Sequence, residues 1–270
     1  MKTTVPTQFL TVPGGTIAYD IQGNGPLTIL IPAGGDIRSS YRFVVPQLLE
    51  KGYSVATMDI RGQGETSAVW SSYSSEAMAE DVAALIKHLD RGPAILVGNS
   101  KAGGVIATVA SNHPDLTTGL VMTSPFARTK SNAISWLTSQ LALSDLWGNP
   151  LFHWYFEKMQ PGVKTADFEE HRARVDSMLK EKGRLKALRD MFSLGEPQLD
   201  AHLAKVTQPV TIVMGEKDPD FPNPAKEGET LVSLLTSTKA SLVIATGAGH
   251  HPQVQSPELV VKAIAAMPTR

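Results

Sequence analysis

Residues 93–104 read PAILVGNSKAGG, a predicted strand that leads through a serine into a predicted helix. Its first half is a short apolar run of the kind that forms a strand buried on both faces. Small residues with helical spacing follow at 104–112. Ser100, between the two, occupies a sharp strand-to-helix turn that would raise its hydroxyl above the sheet edge. Ser100 is therefore a candidate nucleophile, and the alternative is that it only caps the helix.

Further apolar and β-branched runs along the chain predict an α/β fold with a mostly parallel sheet. The Pro13-Gly14-Gly15 turn between residues 8–12 and 16–21 predicts an N-terminal antiparallel hairpin. Helical patterns lie between the remaining apolar runs. Ser75 would cap one of these helices, and another would begin at Ser256. Alternating strands and helices are typical of βαβ units with helices on both faces of the sheet. The other predicted strands are 27–31, 54–59, 93–98, 119–124, 209–214 and 241–245.

One long segment interrupts this alternation. From about residue 126 to 205 the sequence shows only helical patterns, which predicts a helical cap, or lid, inserted into the core. We therefore expect an α/β core of residues 1–125 and 206–270 and a cap of residues 126–205. The cap is rich in aromatic residues, which either pack it onto the core or line an apolar substrate pocket. The candidate substrate-binding residues are Phe126, Trp154 and Phe221.

Composition excludes several classes of function. The chain has 270 residues, a formal net charge of -1 and no cysteine. Disulfides, thiolate metal sites and a cysteine nucleophile are therefore impossible. Scattered basic residues give no electrostatic footprint for nucleic acid. Without a signal-like N-terminus or a long apolar run, we expect a cytoplasmic protein that acts on a small molecule without membrane insertion. The oligomeric state is not predicted.

A serine nucleophile needs a base, usually a histidine oriented by a carboxylate. Among the seven histidines, His250 and His251 follow the last predicted strand through a flexible loop at 246–249. This loop can turn a ring back over the carboxyl edge of the sheet. The Gly-x-Gly-His spacing favours His250, and His251 would then point the other way.

The carboxylate is expected in a loop at the end of another strand. Asp218 comes directly after the predicted strand 209–214, and Pro219 fixes the turn behind it. Glu216 and Asp220 are its rivals in the same loop. We therefore predict Asp218 as the residue that orients the histidine.

An oxyanion formed at the serine needs preorganised backbone N–H donors. The loop Pro32-Ala33-Gly34-Gly35 follows the first parallel strand and has little side-chain bulk. We predict that the backbone N–H groups of Gly34 and Lys101 form an oxyanion hole. The Lys101 ammonium either pairs with a nearby acid or faces the pocket, where it would favour an anionic substrate.

The chain order Ser100, Asp218, His250 resembles that of the α/β-hydrolase fold superfamily. Residues 59–67 (DIRGQGETS) look like its D-x-R-G-x-G-x-S segment, and residues 247–250 look like its histidine loop. The likeness spans nearly the whole chain, including the place of the cap. It implies a serine hydrolase, similar to esterases, that needs no cofactor and no metal.

Two features depart from the family pattern. Pro32-Ala33 stand where most members have His-Gly, and Ala102 replaces a glycine in the elbow. Neither change removes a predicted catalytic group. A serine nucleophile argues against epoxide hydrolases and haloalkane dehalogenases, which use an aspartate at that position.

The expected activity is cleavage of a carboxylic ester, thioester or lactone with an apolar portion, through an acyl-enzyme. Gly98-Asn99-Ser100 also resembles the elbow of ring-cleavage-product hydrolases, which leaves carbon–carbon bond hydrolysis open. A hydrolase-like ligand receptor with little turnover and a cofactor-free perhydrolase are further alternatives.

Overall fold

The computed structural model describes residues 5–128, 143–144, 147–162, 164–193 and 196–269. Within them, continuous apolar runs form eight strands whose bounds lie within two residues of those predicted from the sequence. The strands are β1 (Gln8–Val12), β2 (Gly15–Gln22), β3 (Leu27–Ile31), β4 (Ser54–Met58), β5 (Ala94–Asn99), β6 (Thr117–Thr123), β7 (Val210–Gly215) and β8 (Ala240–Ala245).

The eight strands form one mostly parallel sheet in the order β1-β2-β4-β3-β5-β6-β7-β8. β1 and β2 form the predicted antiparallel hairpin, and β2 also pairs antiparallel with β4. All other neighbours are parallel. The carboxyl ends of β3, β5, β6, β7 and β8 therefore meet at one edge, where ligands bind in open α/β sheets. The predicted fold class is confirmed.

Helices cover both faces of the sheet. The described α-helices are α1 (Val45–Glu50), α2 (Ser75–Leu89), α3 (Ala102–Asn112), α4 (Gly148–Lys158), α5 (Phe168–Leu179), α6 (Arg184–Ser193), α7 (Leu199–Lys205), α8 (Pro224–Leu234), α9 (Pro252–Gln255) and α10 (Pro257–Ala265). None of them combines the length and hydropathy needed to cross a bilayer.

The N-cap of α2 differs from the prediction. Ser74, not Ser75, caps this helix, and its side chain accepts a hydrogen bond from the Ala77 amide. The prediction was wrong by one residue because the Ser75 hydroxyl is buried and bonds Glu196 instead. That contact joins residues 121 positions apart, which a local pattern does not reveal.

Alternating side chains of the central strands build a core on each side of the sheet. On one side, Ile29 and Leu96 pack with residues of α2 and α3 such as Val105. On the other side, Leu30 and Val97 pack with residues of α1 and α10. These strands are buried on both faces, which holds their carboxyl ends in fixed positions.

We call the described residues between β6 and β7, from 143 to 205, the cap segment. Its helices α4, α5 and α6 share a separate cluster of buried apolar residues that includes Phe156, Val175 and Leu188. An ion pair of 2.6 Å between Arg42 and Asp167 joins the segment to the core. Residues 129–142, 145–146, 163 and 194–195 of the predicted cap lie outside the described residues. The division at residues 126 and 205 therefore stays a prediction.

Candidate active site

Ser100 lies in the turn between β5 and α3, as the sequence predicts. Its φ of 55° is in the left-handed region, which is costly for a residue with a side chain. Neighbouring backbone holds it there, because the Ser100 amide donates to Thr123 O at 3.0 Å and its carbonyl accepts from Phe126 N at 2.8 Å. A Cβ at Gly98 would lie 2.5 Å from Ala102 O, so the turn demands glycine there.

His250 and Asp218 meet at the ends of β8 and β7. The His250 Nδ1 atom lies 2.9 Å from Asp218 Oδ2, and both side chains are buried. A second carboxylate oxygen, Asp220 Oδ2, lies 3.2 Å from the same nitrogen. The His250 amide donates to Met159 O at 2.7 Å, which ties the histidine loop to the cap segment.

The pKa of His250 lies above its ordinary value. Burial favours the neutral ring, but the charge and hydrogen bond of Asp218, with the charge of Asp220, outweigh burial and raise the pKa. Burial likewise opposes ionisation of Asp218, yet contact with His250 keeps the pKa of this carboxyl below its usual range. The arrangement therefore favours an ionised Asp218 that stabilises a protonated His250.

The ligand atoms of Asp218, Asp220 and His250 lie within 4.8 Å of one another, a spacing at which a metal ion can bind. They already satisfy one another, because the ring nitrogen faces both carboxylates. The geometry is that of an oriented histidine, so we assign no metal to these residues.

Two of the rival residues, His251 and Glu216, do not join this group. His251 is buried, with its Nδ1 atom 3.1 Å from Gln160 Nε2 and its Nε2 atom 3.9 Å from Asp36 Oδ2. Burial lowers the pKa of His251 to about 3, so its ring stays neutral. Glu216 accepts a hydrogen bond from the Gly247 amide at 2.8 Å on the surface. Of the predicted alternatives, the structure thus brings Asp218 and Asp220, but not Glu216, to His250.

The two predicted oxyanion donors flank Ser100. Gly34 lies in the loop after β3 and lines the same cavity as Ser100, while Lys101 is the next residue along the chain. Among the described residues, neither backbone N–H of this pair has a hydrogen-bond acceptor. Buried N–H groups are nearly always paired. Two such donors beside one serine suit a ligand oxygen.

A cavity of about 490 Å³ opens above these residues. Its lining is mostly apolar, and neither lysine nor arginine occurs among the described residues that form it. Ser100 and His250 both line it, as does Asp220. The remaining lining residues are Ala33, Gly34, Phe126, Leu143, Leu151, Phe152, Trp154, Tyr155, Met159 and Phe192.

The predicted substrate-binding residues occupy different places. Phe126 and Trp154 line the cavity. Phe221 is not among the described lining residues, because it lies buried against Phe126 with ring centroids 5.4 Å apart. Phe126 also contacts the His250 ring at a centroid distance of 5.4 Å. Phe221 thus supports the cavity wall from behind.

The Lys101 ammonium does not face the cavity. Its Nζ atom lies 2.6 Å from Glu196 Oε2, and both side chains are buried. Burial lowers the pKa of Lys101 despite this partner. Of the two alternatives that the sequence leaves open, the structure supports pairing with an acid.

Sequence reasoning missed the role of the Asn99 side chain. It is fully buried, and its Nδ2 donates to Thr123 O at 2.8 Å and to His250 O at 3.0 Å. Gln253 donates to Asn99 Oδ1 at 3.0 Å. Asn99 therefore joins the serine turn to the histidine loop. A polar residue at the end of an otherwise apolar strand was the available signal.

A family comparison identifies the chain. The sequence model of Hydrolase_4, described as serine aminopeptidase, S33, matches residues 27–254. The chain belongs to this family. The matched range runs from β3 to α9, so it includes Ser100, Asp218 and His250. The family assignment confirms the predicted α/β-hydrolase fold and supports hydrolase activity.

Individual relatives of this Hydrolase_4 member have different activities. A 2-(acetamidomethylene)succinate hydrolase of Mesorhizobium japonicum is 27% identical over 93% of this chain and 91% of its own length. Bifunctional epoxide hydrolase 2 of Sus scrofa is 24% identical over 60% of this chain, and the match spans 29% of that protein.

Solved structures confirm the fold. A bromoperoxidase from Bacillus anthracis has a TM-score of 0.81 at 20% identity, covering 97% of this chain and 98% of that one. A hydrolase from Pseudomonas aeruginosa PA01 has a TM-score of 0.82 at 23% identity, covering 96% and 97%. At these identities the likeness establishes architecture and leaves the substrate open.

Proposed function

We propose that this protein is a serine hydrolase that cleaves a carboxylic ester, thioester or lactone with an apolar portion. One observation carries the proposal. Ser100 and His250 line the same apolar cavity, and the Nδ1 atom of His250 lies at hydrogen-bond distance from Asp218. Nucleophile, base and orienting acid are the parts that acyl transfer requires.

In the proposed reaction, the Ser100 hydroxyl attacks the substrate carbonyl as His250 Nε2 takes its proton. The backbone N–H groups of Gly34 and Lys101 bind the oxyanion that forms. The tetrahedral intermediate collapses to an acyl-enzyme, and the leaving alcohol or thiol receives the proton from His250. Water, deprotonated by His250, then attacks the acyl group, and His250 returns this proton to Ser100 Oγ as the acid is released. Asp218 orients the ring and stabilises its protonated form throughout.

The charge of the cavity supports a neutral substrate. Asp220 is the carboxylate of the described lining and lies 3.2 Å from His250, and neither lysine nor arginine is among the described lining residues. A dianion such as the succinate named for the Mesorhizobium relative would therefore meet a mostly apolar wall with no lysine or arginine among its described residues to bind it. The same reasoning disfavours the vinylogous diketone acids of carbon–carbon bond hydrolases. We also propose that the cap predicted from the sequence, residues 126–205, covers the apolar part of the substrate.

Labelling with a fluorophosphonate tests the chemistry. We expect the intact protein to be modified at Ser100, and Ser100→Ala to lose the label and about 10³-fold or more in kcat. His202→Gln is a control, because His202 bonds Ser111 away from the cavity. Labelling of a different residue, or near-complete activity of Ser100→Ala, would contradict the mechanism.

A substrate panel tests the specificity. The panel compares kcat/KM for three substrate classes: a neutral apolar ester, a matched anionic ester and a vinylogous diketone acid. We expect the neutral apolar ester to be preferred. A preference for the diketone acid would instead support carbon–carbon bond hydrolysis, and acylation without turnover would support a receptor.

A further inference from the structure

Both segments that supply the proposed oxyanion donors carry a buried charged side chain that the reaction does not use. Asp36 lies two residues after Gly34 and is 1% exposed, and the Lys101 residue is 5% exposed. Buried charges are costly unless they are paired and hydrogen-bonded. The partner of each is a residue of the cap segment.

Asp36 is held by His171 of α5. The distance from Asp36 Oδ1 to His171 Nε2 is 2.8 Å, and the other ring nitrogen lies 3.2 Å from Ser39 Oγ. Burial would raise the pKa of Asp36, but the His171 charge and hydrogen bond, helped by His251 and the Ile37 amide, lower it to about 2. An ionised carboxylate is thus fixed between cap and core.

This contact reaches the oxyanion loop through the backbone. The Asp36 amide donates to Ala33 O at 3.1 Å and closes a four-residue turn whose central residues are Gly34 and Gly35. Gly35 has a φ of 85° while Gly34 has no positive φ, which is the combination found in a type II turn. Its Cα also approaches the cap, because a Cβ there would lie 2.3 Å from Phe152 Cζ. The position of Asp36 therefore sets the direction of the Gly34 N–H.

Lys101 is held by Glu196 in the same manner. Glu196 Oε2 lies 2.6 Å from Lys101 Nζ, and the carboxylate also accepts from the Ser75 amide at 2.6 Å and from the Ser75 hydroxyl at 3.0 Å. The start of α2 thus anchors Glu196, and Glu196 anchors the side chain of Lys101. The backbone N–H of Lys101 is the second proposed donor.

We propose that the cap segment positions both halves of the oxyanion hole, His171 acting through Asp36 on Gly34 and Glu196 acting through Lys101. The inference rests on the proposed function and deepens it. His171 and Glu196 are positioning residues, because they act through other residues and are absent from the cavity lining described above. The segment would then contribute to kcat and not only to substrate binding.

The test compares His171→Gln and Glu196→Gln with a matched control, Asp167→Asn. The control also breaks an ion pair between cap segment and core, Arg42–Asp167, but one that touches neither donor loop. We expect each of the first two variants to lose about 10- to 100-fold in kcat with KM within about twofold, since small displacements of a catalytic group are costly. The control should stay within about twofold in both.

A transition-state mimic gives a readout that a merely structural role would not move. An apolar trifluoromethyl ketone adds to the serine and places an oxyanion in the hole. We expect its inhibition constant to rise in the same proportion as kcat falls. If His171→Gln does not fold, Asp36→Asn takes its place in the test. This variant keeps the backbone turn and removes the carboxylate charge from the Asp36–His171 pair.

Three results would overturn the inference: a rise in KM at constant kcat, an unchanged inhibition constant, or an equal loss in Asp167→Asn. These differ from failure of the proposed function. In that case the unaltered protein would itself fail to be phosphonylated at Ser100 by the fluorophosphonate.

Discussion

At the scale of single residues, His250 has an unusual pair of neighbours. Two carboxylate oxygens, from Asp218 and Asp220, lie 2.9 and 3.2 Å from its Nδ1 atom. A neutral ring has one proton at this nitrogen, so the two acids share a single donor. Asp218 is the more buried and forms the shorter contact, and its Oδ1 accepts from the Asp220 amide at 3.0 Å. Asp218 is therefore the better placed to orient the ring.

We predict that Asp218→Asn loses about 10²- to 10⁴-fold in kcat, because an amide can present its N–H to the ring and stabilise the wrong tautomer. Asp220→Asn should lose less than about tenfold. Steady-state kinetics on an apolar ester compares them, with circular dichroism as the control for folding. A larger loss in Asp220→Asn would reverse the assignment of the orienting acid.

Asp218 and Asp220 also set the pH dependence of the proposed activity, because both raise the pKa of His250. His250 must be neutral to accept the serine proton, and its pKa is raised above the ordinary value of 6.5. We therefore expect kcat/KM to rise with pH through a midpoint above about 6.5. Asp220→Asn removes one of the charges that raise this pKa, so its midpoint should move to lower pH. An unchanged midpoint in that variant would show that Asp220 does not act on the ring.

At the scale of elements, the β5–turn–α3 unit shows why a strand, a serine and a helix of small residues occur in this order. At Gly98 an added methyl group would meet the Ala102 carbonyl oxygen, a backbone atom that cannot move alone. At position 102 a methyl group is already present, and Ala102 is fully buried without breaking the turn. The departure from glycine at Ala102 is thus tolerated by the geometry.

We predict that Gly98→Ala lowers the free energy of unfolding by about 1–3 kcal/mol through overpacking. Ala102→Gly, in the same turn, should cost about 1 kcal/mol or less through helix propensity and remain labelled by the fluorophosphonate. Urea unfolding at neutral pH measures both. Equal losses in the two variants would contradict the steric argument.

Strand positions could be predicted from the sequence because strands buried on both faces need continuous apolar runs, and such runs are visible locally. The serine turn and the histidine loop were predictable for a similar reason, since each is a short motif next to a strand. The partners of Asp36 and Lys101 were not. His171 and Glu196 reach them across 135 and 95 positions, and only the folded chain brings these residues together.

At the scale of the whole molecule, cap segment and core meet over buried polar groups as well as apolar ones. His251 belongs to this contact, with Gln160 of the segment on one side and Asp36 of the core on the other. Its ring stacks obliquely on Phe156 at a centroid distance of 5.4 Å. A buried neutral histidine at such an interface makes folding sensitive to acid.

The sign of this effect follows from proton binding. The pKa of His251 is about 3 in the folded protein and 6.5 in an ordinary histidine, so between these values the unfolded chain binds a proton that the folded chain refuses. Stability therefore falls as pH decreases through this window, by at most about 1.4 kcal/mol per pH unit. The pKa of His250 shifts in the opposite direction on folding. The contribution of His250 to folding stability is complete below its unfolded pKa and is lost as pH rises through its higher folded pKa. His250 therefore adds little to the pH dependence of stability below about pH 6.

We therefore predict that urea unfolding between pH 6 and pH 5 shows a fall in stability of up to about 1.4 kcal/mol, and that His251→Gln removes most of it. Glutamine keeps an oxygen that can accept from Gln160 and has no titratable proton, so the interface can stay closed. His113→Gln is the matched control, because His113 lies near the surface beside Glu80. The same slope in His251→Gln as in the unaltered protein would assign the acid sensitivity to other groups. A reduced slope in His251→Gln, but not in His113→Gln, would assign it to the contact between cap segment and core.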